Sequence, residues 1–178
     1  LVHVFCVKEA AIPIKSFSPD LIVHPLLNSK NFSNDISKLL HTLVIGSGVG
    51  RDEYILSNIK QLIDILRKQD KPIPIVIDVN GLFLIAEKPY LINNYENCIL
   101  TPNMVEFEHS YEKVIDVKSE KFKREIDKKI LAQILAEALR VNIILKGHLD
   151  TISSPNNQEP IQSNIRGSLN VVVVKKIY

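Results

Sequence analysis

Six short apolar blocks constrain this chain more than any other feature: "LVHVFC", "DLIVHP", "TLVIGSG", "PIVIDV", "NCILTP" and "NIILKG". All are rich in β-branched residues, and nearly all are closed by Gly, Pro, Asn or Asp. Strands buried on both faces of a parallel sheet have this composition. Between them lie helical patterns. "DEYILSNIKQLIDILRKQ" sets Ile55, Ile59, Leu62, Ile63 and Leu66 at three- and four-residue spacings, one apolar stripe with Asp52 placed to cap it. "FKREIDKKILAQILAEALR" predicts a second helix, with Phe122, Ile126, Ile130, Ile134 and Leu135 as its stripe and Lys and Glu opposite. Strand, helix, strand in repetition predicts an α/β domain: a mostly parallel sheet with helices on both faces. Ligands of such sheets bind beyond the carboxyl ends of the strands.

The 178 residues suffice for one domain, and 46% hydrophobic with 24% charged residues excludes a disordered chain. A net charge of +2, with both signs mixed in tracts such as "KSEKFKREIDKK", excludes nucleic acid and anionic lipid as partners. No apolar run nears the ~20 residues of a membrane helix, so a soluble protein is expected. Cys6 and Cys98 each sit inside an apolar run, where a reduced thiol packs as a small hydrophobe, and a reducing compartment is expected. The chain opens at Leu1 inside a strand, with no initiator Met and no cleavage site. The expectation is that the protein's true start, with any targeting segment, precedes this sequence.

Four loops at predicted strand ends gather the polar residues. The first, "VIGSGVGRD" at 44–52, has Gly46, Gly48 and Gly50 at every second position. A dinucleotide fingerprint needs G-x-G-x-x-G and an acid about 20 residues on, and a Walker loop needs Gly-Lys-Ser/Thr; both are absent. What remains is a turn whose amides suit an anion or a closely packed ring, or glycines that only permit positive φ. The second, "VIDVNGL", sets Asp78 and Asn80 past a strand, either to serve magnesium or a ligand hydroxyl, or to cap the helix "GLFLIAEK". In the third, "TPNMVEFE", Asn103 and Glu106 have capping-box spacing at the rim where a ligand would sit. The fourth, "KGHLD", suits nucleotide phosphate or ribose, or a hairpin turn, with His148 at the surface.

In their order along the chain these phrases resemble the ATP-dependent NAD(P)H-hydrate dehydratases, a family of ribokinase-like, three-layer αβα fold. The resemblance runs through "LVHVFC", "SPDLIVHPLL", "VIGSGVGRD", "PIVIDVNGL", "LTPNMVEF" and "LKGHLD". It implies a repair reaction: phosphoryl transfer from ATP to the ring hydroxyl of hydrated NADH or NADPH, then expulsion of phosphate, with magnesium neutralising charge. By the same resemblance Gly50 contacts the hydrated nicotinamide nucleotide, as does the stretch Asn103, Met104, Val105, Glu106, Phe107, Glu108 and His109. Lys146, Gly147, His148, Leu149 and Asp150 resemble the ATP-binding turn. A cytoplasmic or mitochondrial location is expected, and self-association is one option that the sequence leaves open.

The departures matter as much. Where the family has a second acid, this chain has Asn80, which weakens a metal role there. The family's glycine-rich start, ahead of "LVHVFC", is absent. No Gly-Gly-x-Gly-Asp loop, the family's anion hole and base, stands before "GSL", as if a segment were lost near 162–167. No catalytic base and no protein metal ligand is therefore assigned. Loss of a base costs about 10²–10⁴-fold in rate, and loss of an anion hole about as much. Two other readings follow: an inactive nucleotide-binding relative, or a small-molecule kinase of the same fold. "NVVVVKKIY" has strand propensity where the family has helix.

Overall fold

All six apolar blocks form strands, and they divide between two sheets. A computed structural model of the chain describes residues 2–46, 48–116, 127–156 and 160–163. Strands β1 (Val2–Phe5) and β2 (Leu21–His24) pair in parallel with each other. The larger sheet runs β3 (Leu43–Ile45), β4 (Ile75–Ile77), β5 (Cys98–Leu100), β6 (Asn142–Leu145), β7 (Asp150–Ser153), β8 (Ile161–Ser163) in spatial order. Pairing is parallel from β3 to β6 and antiparallel beyond. The expected mostly parallel sheet is found from β3 to β6, and among the described residues β1 and β2 pair only with each other.

Among the described residues the α-helices are α1 (Lys8–Phe17), α2 (Phe32–Ser37), α3 (Glu53–Arg67), α4 (Asn80–Glu87), α5 (Met104–Ile115) and α6 (Lys128–Leu139). The connections from β3 through β6 all step the same way across the sheet, so the right-handed rule puts α3, α4, α5 and α6 on one face. Under them lies the aligned row Ile45, Ile77, Leu100 and Ile143, buried almost completely. Val44, Val76 and Ile99 form the opposite row, apolar and half-buried. Apolar residues on both faces mark a sheet built to be layered on both sides.

The α3 stripe is as expected: all five residues are buried, and the Asp52 carboxylate accepts from the amides of Tyr54 (2.9 Å) and Ile55 (3.0 Å). For α6 the expected stripe is corrected. Ile130 is 55% and Ile134 38% exposed, while Leu131, Ala132, Leu135, Ala136 and Leu139 are buried. The two small alanines let this face approach the sheet more closely than the isoleucine flank would. The helix also starts later, at Lys128, because Asp127 caps the Lys129 amide at 3.0 Å. Phe122 and Ile126 lie outside the described residues, as do 164–178, which hold "GSL", "NVVVVKKIY" and most of the 162–167 gap. Among the described residues no helix is long and apolar enough to cross a membrane. Cys6 and Cys98 are buried free thiols.

Candidate functional site

The four loops meet along one edge, at the carboxyl ends of β3, β4, β5 and β6. Backbone hydrogen bonds join each loop to its neighbour: Asp78 N–H to Ile45 O (2.9 Å), Thr101 N–H to Ile77 O (3.0 Å), and Lys146 N–H to Pro102 O (2.8 Å). The side chains add one further link. Lys146 Nζ donates to Asp78 Oδ1 at 2.6 Å, spanning the end of the intervening strand β5. Both groups are more than half-buried.

That pairing decides what Asp78 does. The expected capping role for Asp78 and Asn80 is corrected: the N-cap of α4 is Val79, and no side chain caps that helix. Val79 has φ +43°, an uncommon conformation for a β-branched residue, and strain of this kind costs about 1–3 kcal/mol. It is held between Asp78, whose carbonyl oxygen accepts from Gly81 N–H at 2.9 Å, and the first turn of α4.

The glycines of the first loop play two different parts. Gly46 has φ +133°, and a Cβ there would fall 1.6 Å from the Asp78 carbonyl oxygen, so this glycine permits β3 and the β4 loop to close. Gly48 and Gly50, both at φ +72°, would meet nothing within 4 Å. Their backbone flanks open space, where a flat ring or an anion can lie against the chain.

Gly50 opens onto a cleft of about 500 Å³ between α3 and α4, a volume ordinary for small-molecule sites. Arg51, Glu53, Leu56, Lys60, Phe83 and Glu87 are among its walls. The Arg51 guanidinium carbon stands 4.5 Å from the centre of the Phe83 ring. Phe83 also packs on His109, at 4.7 Å between centroids. Beyond it Glu87 pairs with Lys113 at 2.9 Å and lies 4.0 Å from His109 Nε2. The Lys113 hydrogen bond, with its charge, holds the Glu87 carboxyl below the usual range.

The expected substrate stretch is the first turns of α5. Asn103 and Glu106 form a capping box: Asn103 Oδ1 accepts from Glu106 N–H at 3.0 Å, and Glu106 Oε2 accepts from Asn103 N–H at 2.9 Å. Phe107 is fully buried and packs on Tyr111, anchoring the helix. Met104 packs against the core, Val105 is 75% exposed, and Glu108 and His109 are half-buried. In the expected ATP turn, Asp150 Oδ1 accepts from Gly147 N–H at 3.0 Å and closes the β6–β7 hairpin, leaving His148 and Leu149 exposed. The structure brings Gly50 and His109 to the cleft region through Arg51 and Phe83. It sets Lys146 apart from them, near Asp78.

Sequence reasoning missed Arg51, Phe83 and the Asp78–Lys146 pair. Arg51 stands in plain view after Gly50. Phe83 is hidden in the wholly apolar run "GLFLIA", where nothing marks the exposed member, and a pair 68 residues apart leaves no local signal.

The sequence family described as NAD(P)H-hydrate dehydratase matches residues 1–171. The chain is 42% identical over 172 residues to the ATP-dependent (S)-NAD(P)H-hydrate dehydratase of Mus musculus, covering 94% of this chain and 48% of the mouse protein. Its likeness to the Homo sapiens protein of that name is 39% over 171 residues, with 94% and 47% covered. The chain thus spans about half the length of these curated relatives. A ribokinase-like superfamily protein from Enterococcus faecalis superposes with a TM-score of 0.68 at 19% identity, covering 90% of this chain and 51% of the other. The ADP/ATP-dependent NAD(P)H-hydrate dehydratase of Bacillus subtilis, co-crystallised with ATP and Mg2+, does so at 0.57 and 13% identity, with 89% and 51% covered. These two likenesses establish the ribokinase-like α/β fold. Together with the sequence match across nearly the whole chain, they lead to one conclusion: the chain belongs to the NAD(P)H-hydrate dehydratase family.

Proposed function

We propose that the chain serves ATP-dependent dehydration of the S form of hydrated NADH and NADPH, giving the reduced nucleotide, ADP and phosphate. One observation supports this reading most: the glycine turn, the Asn103 capping box and the Lys146 turn, the three places where the resemblance expects ligands, occupy one edge of one sheet. Gly50 and the start of α5 then take the hydrated nucleotide, and residues 146–150 take ATP.

The residues present suit a nucleotide that carries its own magnesium. Lys146 supplies a fixed ammonium for phosphate oxygens, and the Asp78 carboxylate beside it would hold such an ion through one of its waters. Among the described residues no three His, Cys, Asp or Glu gather as a metal cage. Magnesium bound to ATP typically keeps several waters and takes one or two carboxylates, so such a cage is not required. When bound, the ion would neutralise charge on the transferring phosphoryl group. Two buried free thiols suit a reducing compartment, the cytoplasm or mitochondrion.

A second reading has its own support: the sequence contains no Gly-Gly-x-Gly-Asp. On that reading the chain binds nucleotides without turnover. The test is to add hydrated NADH, ATP and magnesium and to follow absorbance of the reduced nicotinamide. Recovery supports the enzyme; no recovery, with ATP or the hydrate still raising the melting temperature, supports the binding protein. A stable phosphorylated product would instead indicate a small-molecule kinase.

A further inference from the structure

The cleft between α3 and α4 has a charge balance that the catalytic reading does not use. Its walls include three cations, Arg51, Lys60 and Lys88. Among the described residues none of them has a carboxylate partner. Of its two carboxylates, Glu87 is already neutralised by Lys113 at 2.9 Å, which leaves Glu53 alone against three positive charges. A concave site with that imbalance attracts anions.

Arg51 is the best prepared of the three. Its guanidinium rests 4.5 Å above the Phe83 ring, and that ring in turn packs on His109 at 4.7 Å between centroids. Stacking restrains the side chain yet occupies none of its five N–H donors. A restrained guanidinium with its planar fork uncommitted matches a phosphate oxygen pair. Arg51 also follows Gly50 directly, and at Gly50 nothing lies within 4 Å of the position a side chain would take. A ligand can therefore press against the backbone and meet the guanidinium in the same step along the chain.

We propose that Arg51, stacked on Phe83, is the phosphate ligand that seats the nicotinamide nucleotide in the α3–α4 cleft. Lys60 and Lys88 supply the surrounding positive field, and Phe83 acts as the positioning residue for Arg51. The nucleotide identity rests on the proposed function; the anion site rests on the cleft.

The test measures equilibrium binding of hydrated NADPH, ATP and inorganic pyrophosphate to the chain and to Arg51→Lys, Arg51→Ala and Phe83→Leu. Urea midpoints confirm that each variant is folded. Arg51→Ala is expected to weaken hydrated NADPH about tenfold or more and leave ATP within about twofold, because a charge-assisted pair is lost at one site only. Arg51→Lys and Phe83→Leu should fall between, since one keeps charge without the fork and the other keeps the fork without its platform. Equal hydrate affinity in wild type and Arg51→Ala overturns the inference while the proposed function stands. If the wild type takes no hydrate, the function fails and pyrophosphate decides. Binding abolished by Arg51→Ala upholds the anion site, and binding that is absent or indifferent to Arg51 overturns it.

Discussion

Replacing Gly46 by alanine tests how the rim is held together. The new Cβ would lie 1.6 Å from the Asp78 carbonyl oxygen and 2.6 Å from its carbon. Ordinary contact would require a shift of about 2 Å, in a rim packed as densely as an organic crystal. The oxygen has no easy retreat, because it accepts from Gly81 N–H at 2.9 Å. Gly81 is confined in turn: a Cβ on it would come within 2.8 Å of Ile77 and 3.0 Å of the Ile45 carbonyl oxygen. Alanine at φ +133° also carries a conformational penalty of about 1–2 kcal/mol. Loss of the Asp78-to-Ile45 and Gly81-to-Asp78 hydrogen bonds adds about 1 kcal/mol each. The sum is about 3–4 kcal/mol, a large share of the roughly 5–15 kcal/mol that holds a domain. Gly48→Ala and Gly50→Ala meet no atoms within 4 Å, so each should cost only the conformational part, about 1 kcal/mol. Urea unfolding followed by far-UV circular dichroism compares the three. A Gly46→Ala midpoint within about 1 kcal/mol of Gly48→Ala would refute the close approach of the two loops.

Further outcomes are expected at the other loops. Asn103→Ala removes half of the capping box and should cost about 1 kcal/mol, read as a melting shift of about 2–4 °C; Asn103→Ser should restore most of it. Lys146→Met leaves the mostly buried Asp78 carboxylate without its cation and should destabilise the fold by about 1 kcal/mol and, on the proposed function, weaken ATP at least tenfold. Asp78→Asn, which spares the ammonium, should cost less in calorimetric titrations with ATP. Burial pushes the Cys98 thiol from 9.0 up to about 12. The unfolded chain therefore loses that proton first, and stability, full below pH about 9, should fall by up to about 1.4 kcal/mol per pH unit towards 12. Cys98→Ala should flatten that alkaline limb in pH-dependent urea titrations; an unchanged slope would refute the assignment.

The strands were legible because burial on both faces writes itself as unbroken apolar runs, as in "CIL" at β5, with Cys98 and Leu100 beneath the helices and Ile99 opposite. The α3 face was legible too, since only one arc of that helix is apolar. The α6 face was not: isoleucine and leucine–alanine arcs lie side by side, and the choice depends on how near the sheet approaches, a fact of packing. Separation of β1 and β2 from the main sheet was equally hidden, because a strand's composition does not name its neighbour. At the rim, the Asn103–Glu106 box was readable from its spacing of three residues. The Asp78–Lys146 pair was not, since it exists only once β4 and β6 flank β5.

Much of the rim's polar chemistry is spent within the rim, and this limits what a ligand can meet there. Asn103 and Glu106 bond each other's backbone, Asp150 closes its own hairpin, and Asp52 caps α3. Among the described residues, what stays available includes the open backbone at Gly48 and Gly50, the stacked Arg51, and the Lys146 ammonium with its remaining donors. These lie on opposite sides of the parallel strands: the glycines follow β3 and Lys146 follows β6. Three strand spacings separate the two, about 14 Å. On the proposed function, a hydrated ring seated at Gly50 and a phosphate held by Lys146 meet only above β4 and β5. The residue there that reaches towards both is Asp78, its backbone against Gly46 and its carboxylate on Lys146. Substitutions at Asp78 should consequently disturb hydrate and ATP affinity together, whereas Arg51 and Lys146 variants should each disturb one.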